Sequence, residues 1–321
     1  MAGSSIPAGI TPRPIVPRIK PLVSGRMRDL LGGPSRIVRD HGELGPSLGR
    51  LGSLEVRLAL TTRDIRRAQR LRYKIFFEEM SASAKGASMF SRRDVDDFDR
   101  LCDHLLVLDH GASNVGAART KPKVVGTYRL LRQDIAERNQ GFYTAGEYDI
   151  APMLTAHPQL RFLELGRSCV LKPYRTKRTV ELLWAGIWAY VLHHRIDVMI
   201  GCASLEGTDP RAFSLPLSFL HHFARASGDW QTSAWPQHGT SMNLLPKEAI
   251  DQKAALRALP PLIKGYLRLG ASFGSGAVID RRFGTTDVLV ILPVDHINPR
   301  YIGHFGADAS RHVTLANSPL A

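Results

Sequence analysis

Apolar and polar positions first fall into a regular pattern at Leu54. LEVRLAL, residues 54–60, alternates as a half-buried strand does. Thr61 or Thr62 is then placed to cap a helix over RDIRRAQRLRYKIFFEEM, where Ile65, Ala68, Leu71 and Ile75 recur at helical spacing. After an acidic stretch, DVDDFDRLCDH, the apolar runs HLLVLDH and KVVGTYRLL flank a turn rich in Gly, Asn and Ala and predict an antiparallel hairpin. RFLELGRSCVL reads as a further strand. A helix beginning near Arg178 sets Val180, Leu183, Trp184, Ile187 and Val191 on one face, and DVMIGCASL returns as a strand. This strand, helix and strand imply a crossover, and so one parallel pair within an otherwise antiparallel sheet. A helix around LSFLHHFARA, a polar connection with Trp230 and Trp235, a helix near PPLIKGYLRLG and the strands AVIDRR and TDVLVIL complete the pattern. The fold class expected is mixed α/β: a mostly antiparallel sheet flanked by helices, with a helical and β C-terminal extension.

Ahead of Leu54 the pattern is lost. The first fifty residues hold seven Pro and eight Gly, with eight Lys or Arg against three Asp or Glu. Such a segment buries too little apolar surface to offset the entropy of ordering it. Residues 1–53 therefore read as a flexible basic arm, either a plain leader or a membrane tether. Residues 54–306 read as the folded domain and 307–321 as a flexible tail.

Charge narrows the partners. The 321 residues carry 43 Lys or Arg against 29 Asp or Glu, a balance that attracts polyanions and anionic lipid surfaces. The basic residues are scattered, and no zinc-finger, RRM or helix-turn-helix signature accompanies them, so nucleic acid is not the expected partner. Cys102, Cys169 and Cys202 lack CxxC spacing and suit a reducing compartment. No apolar run reaches the roughly 18 residues of a membrane span, and the N-terminus lacks the apolar core of a secretory signal. A cytoplasmic location is expected, with at most peripheral contact with an anionic membrane.

Several short patterns dissolve on inspection. GASFG, Gly270 to Gly274, satisfies the spacing of a serine-hydrolase elbow, but it follows a helix where that elbow needs a strand. HLLVLD sets His104 and Asp109 five apart on a strand, on opposite faces. His193–His194 and His221–His222 have no third ligand at a metal-binding spacing. DVDDFD lacks the glycine and distal glutamate of a calcium loop; its Asp94, Asp96, Asp97 and Asp99 are either a solvated loop or a receptor for a substrate ammonium. No metal is expected.

The strand FLELGR holds more chemistry. Glu164 is a carboxylate in an apolar run, able to accept an amine proton directly or through one water. Side chains alternate along a strand, so Glu164 and Arg167 share a face only if a bulge intervenes.

The succession RLRYKIFFEEM, DDFDRLCDH, VVGTYRLL, FLELGRSCV and LLWAGIWAYV, followed by PPLIKGYLRLGASF and TTDVLVIL, resembles the L-ornithine N-alpha-acyltransferases of bacterial ornithine-lipid synthesis, a GNAT-like branch, from about Leu54 to Phe305. The resemblance implies transfer of a 3-hydroxyacyl chain from acyl carrier protein to the α-amine of L-ornithine, giving lyso-ornithine lipid. The N-terminal half is also similar to acyl-homoserine-lactone synthases, whose acidic loop and E-x-x-R element match Asp96, Asp99, Glu164 and Arg167, with Arg129 in the GTYRLL strand. Glu164 is then the expected base. Arg129 and Arg167 are expected to hold the amino-acid carboxylate, and Asp96 and Asp99 the side-chain ammonium.

Where GNAT enzymes carry a glycine-rich pyrophosphate loop, this chain reads KPYRTKR. Without those glycines the pyrophosphate of coenzyme A is poorly cradled at the helix start. Lys172, Arg175, Lys177 and Arg178 suit instead a phosphopantetheine phosphate and the acidic surface of its carrier protein. No cofactor is expected to be resident, since acyl-phosphopantetheine enters as part of the substrate. The alternatives are a GNAT-like N-acyltransferase resembling the lactone synthases or using another amine or acyl-coenzyme A, and, further off, a basic nucleic-acid-binding protein.

Overall fold

The strand pattern of residues 54–58 seeds a ten-stranded sheet. The computed structural model describes residues 44–80, 90–111 and 121–297; most of the expected arm, and the expected tail, lie outside them. Strands β1 (Gly49–Leu51), β2 (Leu54–Leu58), β3 (Asp103–Asp109), β4 (Lys123–Arg132), β6 (Phe162–Val170), β7 (Val198–Glu206), β9 (Gly239–Thr240), β10 (Ser272–Phe273), β11 (Ala277–Asp280) and β12 (Thr285–Pro293) form this sheet. Its order is β1-β2-β3-β4-β6-β7-β12-β11-β9, with β10 paired to β12. β5 (Tyr148–Asp149) and β8 (Ser233–Ala234) make a separate two-stranded ladder.

The β3–β4 hairpin is antiparallel, and β6 and β7 are parallel, as the crossover required. Every other ladder is antiparallel among the described residues. The sheet starts earlier than residue 54. Gly52 and Ser53 turn the chain so that β1 pairs back on β2, and Leu48 just before it is fully buried.

Two helices sandwich the centre of the sheet. α1 (Thr62–Tyr73) is capped by Thr61, whose hydroxyl accepts the Asp64 N–H, and it runs into a π-helical turn, Lys74–Glu79, instead of continuing as α-helix. The short helices α2 (Gln133–Glu137) and α3 (Ala151–Ala156) follow β4. The crossover helix α4 (Lys177–His194) is capped by Thr176 and lies on the face that carries Val56 and Leu105. Gly186 is required there: a Cβ would sit 2.7 Å from Val56 Cγ2. Val180, expected on the buried face, is instead 48% exposed, on the first turn of α4. α5 (Ser214–Phe223), α6 (Gln252–Ala258) and α7 (Pro261–Leu269) follow. The hydroxyls of Tyr128 on β4 and Tyr266 on α7 hydrogen-bond at 2.9 Å, which fixes the C-terminal extension against the sheet. GASFG is the end of α7 followed by β10, so the hydrolase elbow is absent.

Candidate active site

The parallel ladder between β6 and β7 is short. Phe162, Leu163 and Glu164 pair with Val198, Met199 and Ile200, and then the strands part. Gly201 marks the parting point: a Cβ there would lie 2.2 Å from the Leu165 carbonyl oxygen. Beyond it Leu165 to Val170 of β6 and Cys202 to Ser204 of β7 line a cavity of about 560 Å³.

A bulge places Arg167 in that cavity. Against β4, Gly166 pairs with Arg129 and Cys169 with Thr127, so Arg167 and Ser168 together oppose Tyr128, and Arg167 takes a left-handed φ of 51°. The bulge shifts the side-chain phase, and Glu164 and Arg167 line one cavity. The Arg167 guanidinium lies between the rings of Tyr143, 4.8 Å away, and Phe283, 4.6 Å away.

Glu164 is buried and both its oxygens are engaged. Oε2 accepts the Tyr143 N–H at 2.9 Å and Oε1 the Thr144 N–H at 2.6 Å. Burial raises its pKa above the usual carboxylate value, against these hydrogen bonds, which lower it. An ionised carboxylate has about four lone-pair sites, so acceptor capacity remains toward the cavity.

Asp96 and Asp99 belong to a network of three aspartates, with Asp94, and four arginines, Arg72, Arg129, Arg167 and Arg282. Asp96 accepts from Arg129 at 2.6 and 2.7 Å and from Arg167 at 3.1 Å, while Asp99 accepts from Arg72 at 2.8 Å and from Gln69 at 3.0 Å. Asp94 accepts from Arg72 at 2.9 Å and lies 3.4 Å from Arg167. Burial opposes charge on Asp99, but Arg72 outweighs it and holds the carboxyl well below its usual range. The two acids expected to receive a substrate ammonium are thus occupied by arginines, and neither lines the cavity. Arg129 and Arg167, which they orient, both do.

Three other acids do line it. Glu147 follows the turn that carries Tyr143, Asp280 ends β11, and Asp287 lies on β12; one carboxylate oxygen of each falls within 4.8 Å of the others. Burial, with Asp287 adding, pushes Glu147 up to about 7. Burial also pushes Asp287 up to about 6, with Asp280 adding to the rise. The sequence carried one sign of this cluster: Asp287 is the lone acid in the apolar run TDVLVIL.

The rest of the wall is apolar. Ile75, Phe76 and Met80 come from the π-turn and its end, and Val180, Trp184 and Leu262 from α4 and α7. The turn before α4 and the first residues of α4 carry Lys172, Arg175, Lys177 and Arg178, all exposed. Arg175 lines the cavity, pairs with Glu79 at 2.6 Å and donates to the Val170 carbonyl; Lys177 pairs with Glu181 at 3.4 Å. Burial pushes all three thiols up, Cys169 to about 12, so none is a nucleophile at neutral pH.

A family model described as an acetyltransferase (GNAT) domain matches residues 71–185. The L-ornithine N(alpha)-acyltransferase of Agrobacterium fabrum is 55% identical over 82% of this chain and 88% of its own, and that of Brucella abortus 54% identical over 83% and 93%. The enzyme of the same name from Rhodobacter capsulatus is 40% identical over 78% of this chain and 93% of its own. Among solved structures, the N-acyl amino acid synthase FeeM from uncultured soil microbes aligns with 78% of this chain and 94% of its own, at 10% identity and a TM-score of 0.41.

Proposed function

The chain belongs to the L-ornithine N(alpha)-acyltransferase family, and from that premise we propose that it transfers a 3-hydroxyacyl chain from acyl carrier protein to the α-amine of L-ornithine, with lyso-ornithine lipid as product. The observation that carries this reading is the cavity at the β6–β7 parting, where a buried carboxylate, an arginine and an apolar wall meet. The apolar wall suits an acyl chain. Arg167, with Arg129 beside it, suits the carboxylate of an amino acid, because a guanidinium offers two parallel donors.

In the proposed reaction the neutral α-amine attacks the thioester carbonyl, a C–N bond forms and the C–S bond breaks. The amine proton passes to Glu164, directly or through a water; the carrier's sulfur leaves as a thiolate that takes a proton from solvent, and Glu164 gives up to solvent the one it gained. Burial favours this role: a carboxyl raised above its usual pKa is a stronger base once ionised. The developing oxyanion would be met by a backbone N–H of the parted strand after Arg167.

For the donor, support comes from the start of α4. Four cations crowd a helix end that is itself positive, an arrangement that favours an anionic visitor. The turn Lys172–Tyr174 with its Thr176 cap has no glycine to let a pyrophosphate approach the backbone. A carrier-borne phosphate needs no such cradle. Among the described residues no helix is long and apolar enough to cross a membrane; a product with an acyl tail would leave by peripheral contact with an anionic bilayer.

The test is to incubate purified protein with long-chain 3-hydroxyacyl carrier protein and a panel of amino acids and to identify products by mass spectrometry. N-alpha-acylornithine is expected. Acylation of no amino acid, or acyl-coenzyme A as the better donor, would overturn the corresponding half of the reading.

A further inference from the structure

We propose that Glu147, Asp280 and Asp287 form the receptor for the side-chain ammonium of a diamino acid, and so set the enzyme's preference for such a substrate; this rests on the amino-acid acylation reading above. Three elements that are distant in sequence bring these carboxylates within 4.8 Å of one another. Like charges this close repel, and among the described residues no basic side chain pairs with any of them. The arginines nearest the cavity are engaged elsewhere: Arg167 by Asp94 and Asp96, and Arg129 by Asp96 and Asp99.

A second observation points to a ligand. Asp287 is only 6% exposed and lines the cavity, yet among the described residues its Oδ1 has no hydrogen-bond partner. Glu147 Oε2, on the same wall, is likewise unpartnered. A buried acceptor left unmade costs free energy until something donates to it. Asp280 differs: its Oδ1 accepts the N–H groups of Arg282 and Phe283 and so fixes the β11–β12 turn, leaving Oδ2. Three acceptors facing one point match an ammonium, which is a compact charge with three donors.

The cluster lines the same cavity as Glu164 and Arg167, and the proposal places one amino acid across all of them. An amine held among carboxylates keeps its proton and is no nucleophile. The α-amine, left near Glu164, is the one that loses its proton and is acylated.

The experiment compares ornithine with norvaline, which has the same carbon chain and no side-chain amine. The parent enzyme is expected to prefer ornithine strongly, and Asp287→Asn and Glu147→Gln to lower the ratio of the two kcat/KM values at least tenfold, chiefly through KM for ornithine. Ornithine binding without an acyl donor, measured by calorimetry, should weaken by a similar factor. A parent that uses norvaline as well as ornithine overturns the proposal and leaves the acyltransferase reading standing. Variants that lose both substrates equally show a structural role and overturn it too. Asp280→Asn, at a half-buried position, provides a third variant should the others melt early. Loss of ornithine use on chelation, restored by magnesium or manganese, would make the cluster a metal site instead. Should the parent acylate no amino acid, calorimetry still decides: no ornithine binding, or binding unaffected by the substitutions, ends the proposal.

Discussion

Glu164 Oε1 accepts the Thr144 N–H at 2.6 Å, so the acid proposed to take the substrate proton also anchors the turn that carries Tyr143. Glutamine is therefore not a silent replacement. It keeps one acceptor and turns an NH₂ toward a backbone N–H. Glu164→Gln is expected to lower turnover by about 10²- to 10⁴-fold and stability by about 1–3 kcal/mol. The pH profile separates the two effects: kcat of the parent should fall on the acid side as Glu164 takes up its proton, and the variant should lose that limb. Near-normal turnover would remove Glu164 from the role.

The arginine network should be more costly to break. Arg72 is fully buried and joins Asp94 to Asp99, so Arg72→Met leaves two buried carboxylates short of a partner. A loss of about 3–5 kcal/mol is expected in urea unfolding. Asp99 is held below its ordinary pKa, so the folded state binds its proton more weakly than the unfolded chain does. Its contribution is present above about pH 4 and is lost as pH falls, and the parent should lose stability in acid more steeply than the variant.

The cavity acids carry the opposite sign. Glu147 at about 7 and Asp287 at about 6 are raised, so the free protein holds their protons more tightly than the unfolded chain. That contribution is fully present below about pH 4 and is lost as pH rises through about 6 to 7. Ornithine should reverse the trend, since an ammonium favours the ionised carboxylates. Its shift of the melting temperature should be larger at pH 8 than at pH 5.5. Calorimetry near pH 6 in buffers of different ionisation enthalpy should register proton release on binding; uptake, or neither, would contradict the assignment.

Salt tests the donor. Attraction between the start of α4 and an acidic carrier acts mainly on encounter, and should fade as the Debye length contracts from about 10 Å at 0.1 M to about 3 Å at 1 M. KM for carrier-borne donor should rise accordingly. Arg175 lines the cavity and braces Val170, so its reversal would disturb more than docking. Lys172→Glu with Arg178→Glu is the cleaner pair, being exposed and without an ion pair among the described residues. These changes should raise KM for the carrier-borne donor at low salt but spare a small acyl-pantetheine. Unchanged carrier kinetics would refute docking at this site.

Local order was legible wherever one face of an element is buried. Alternation marked β2, and the strand, helix and strand of residues 161–205 gave the parallel pair. β1 was missed because a three-residue strand has too few positions to show a period. The site was legible where a residue's neighbours in sequence explain it. Glu164 and Arg167 lie on one strand, although the bulge that unites them is a backbone event whose one mark in the sequence is the neighbouring Gly166. Asp96 and Asp99 looked like a cation receptor because sequence shows an acidic run but not the arginines that fill it. Glu147, Asp280 and Asp287 were illegible as a group because contacts between β11, β12 and a distant turn create it.

The short ladder between β6 and β7 also has a mechanical consequence. β7 is paired with β12 along the whole of Val198–Glu206, and β4 holds β6 from Leu163 to Val170, so each half of the sheet is a stiff leaf. Between them run only the pairs at Phe162, Leu163 and Glu164 among the described residues. The sheet therefore has a built-in fold line beside the cavity, and pivoting about it widens the mouth without breaking the long ladder inside either leaf. Amides that donate across the short β6–β7 ladder should exchange with solvent sooner than those that donate across β7–β12, and a bound acyl chain that wedges the leaves should change the first set more than the second.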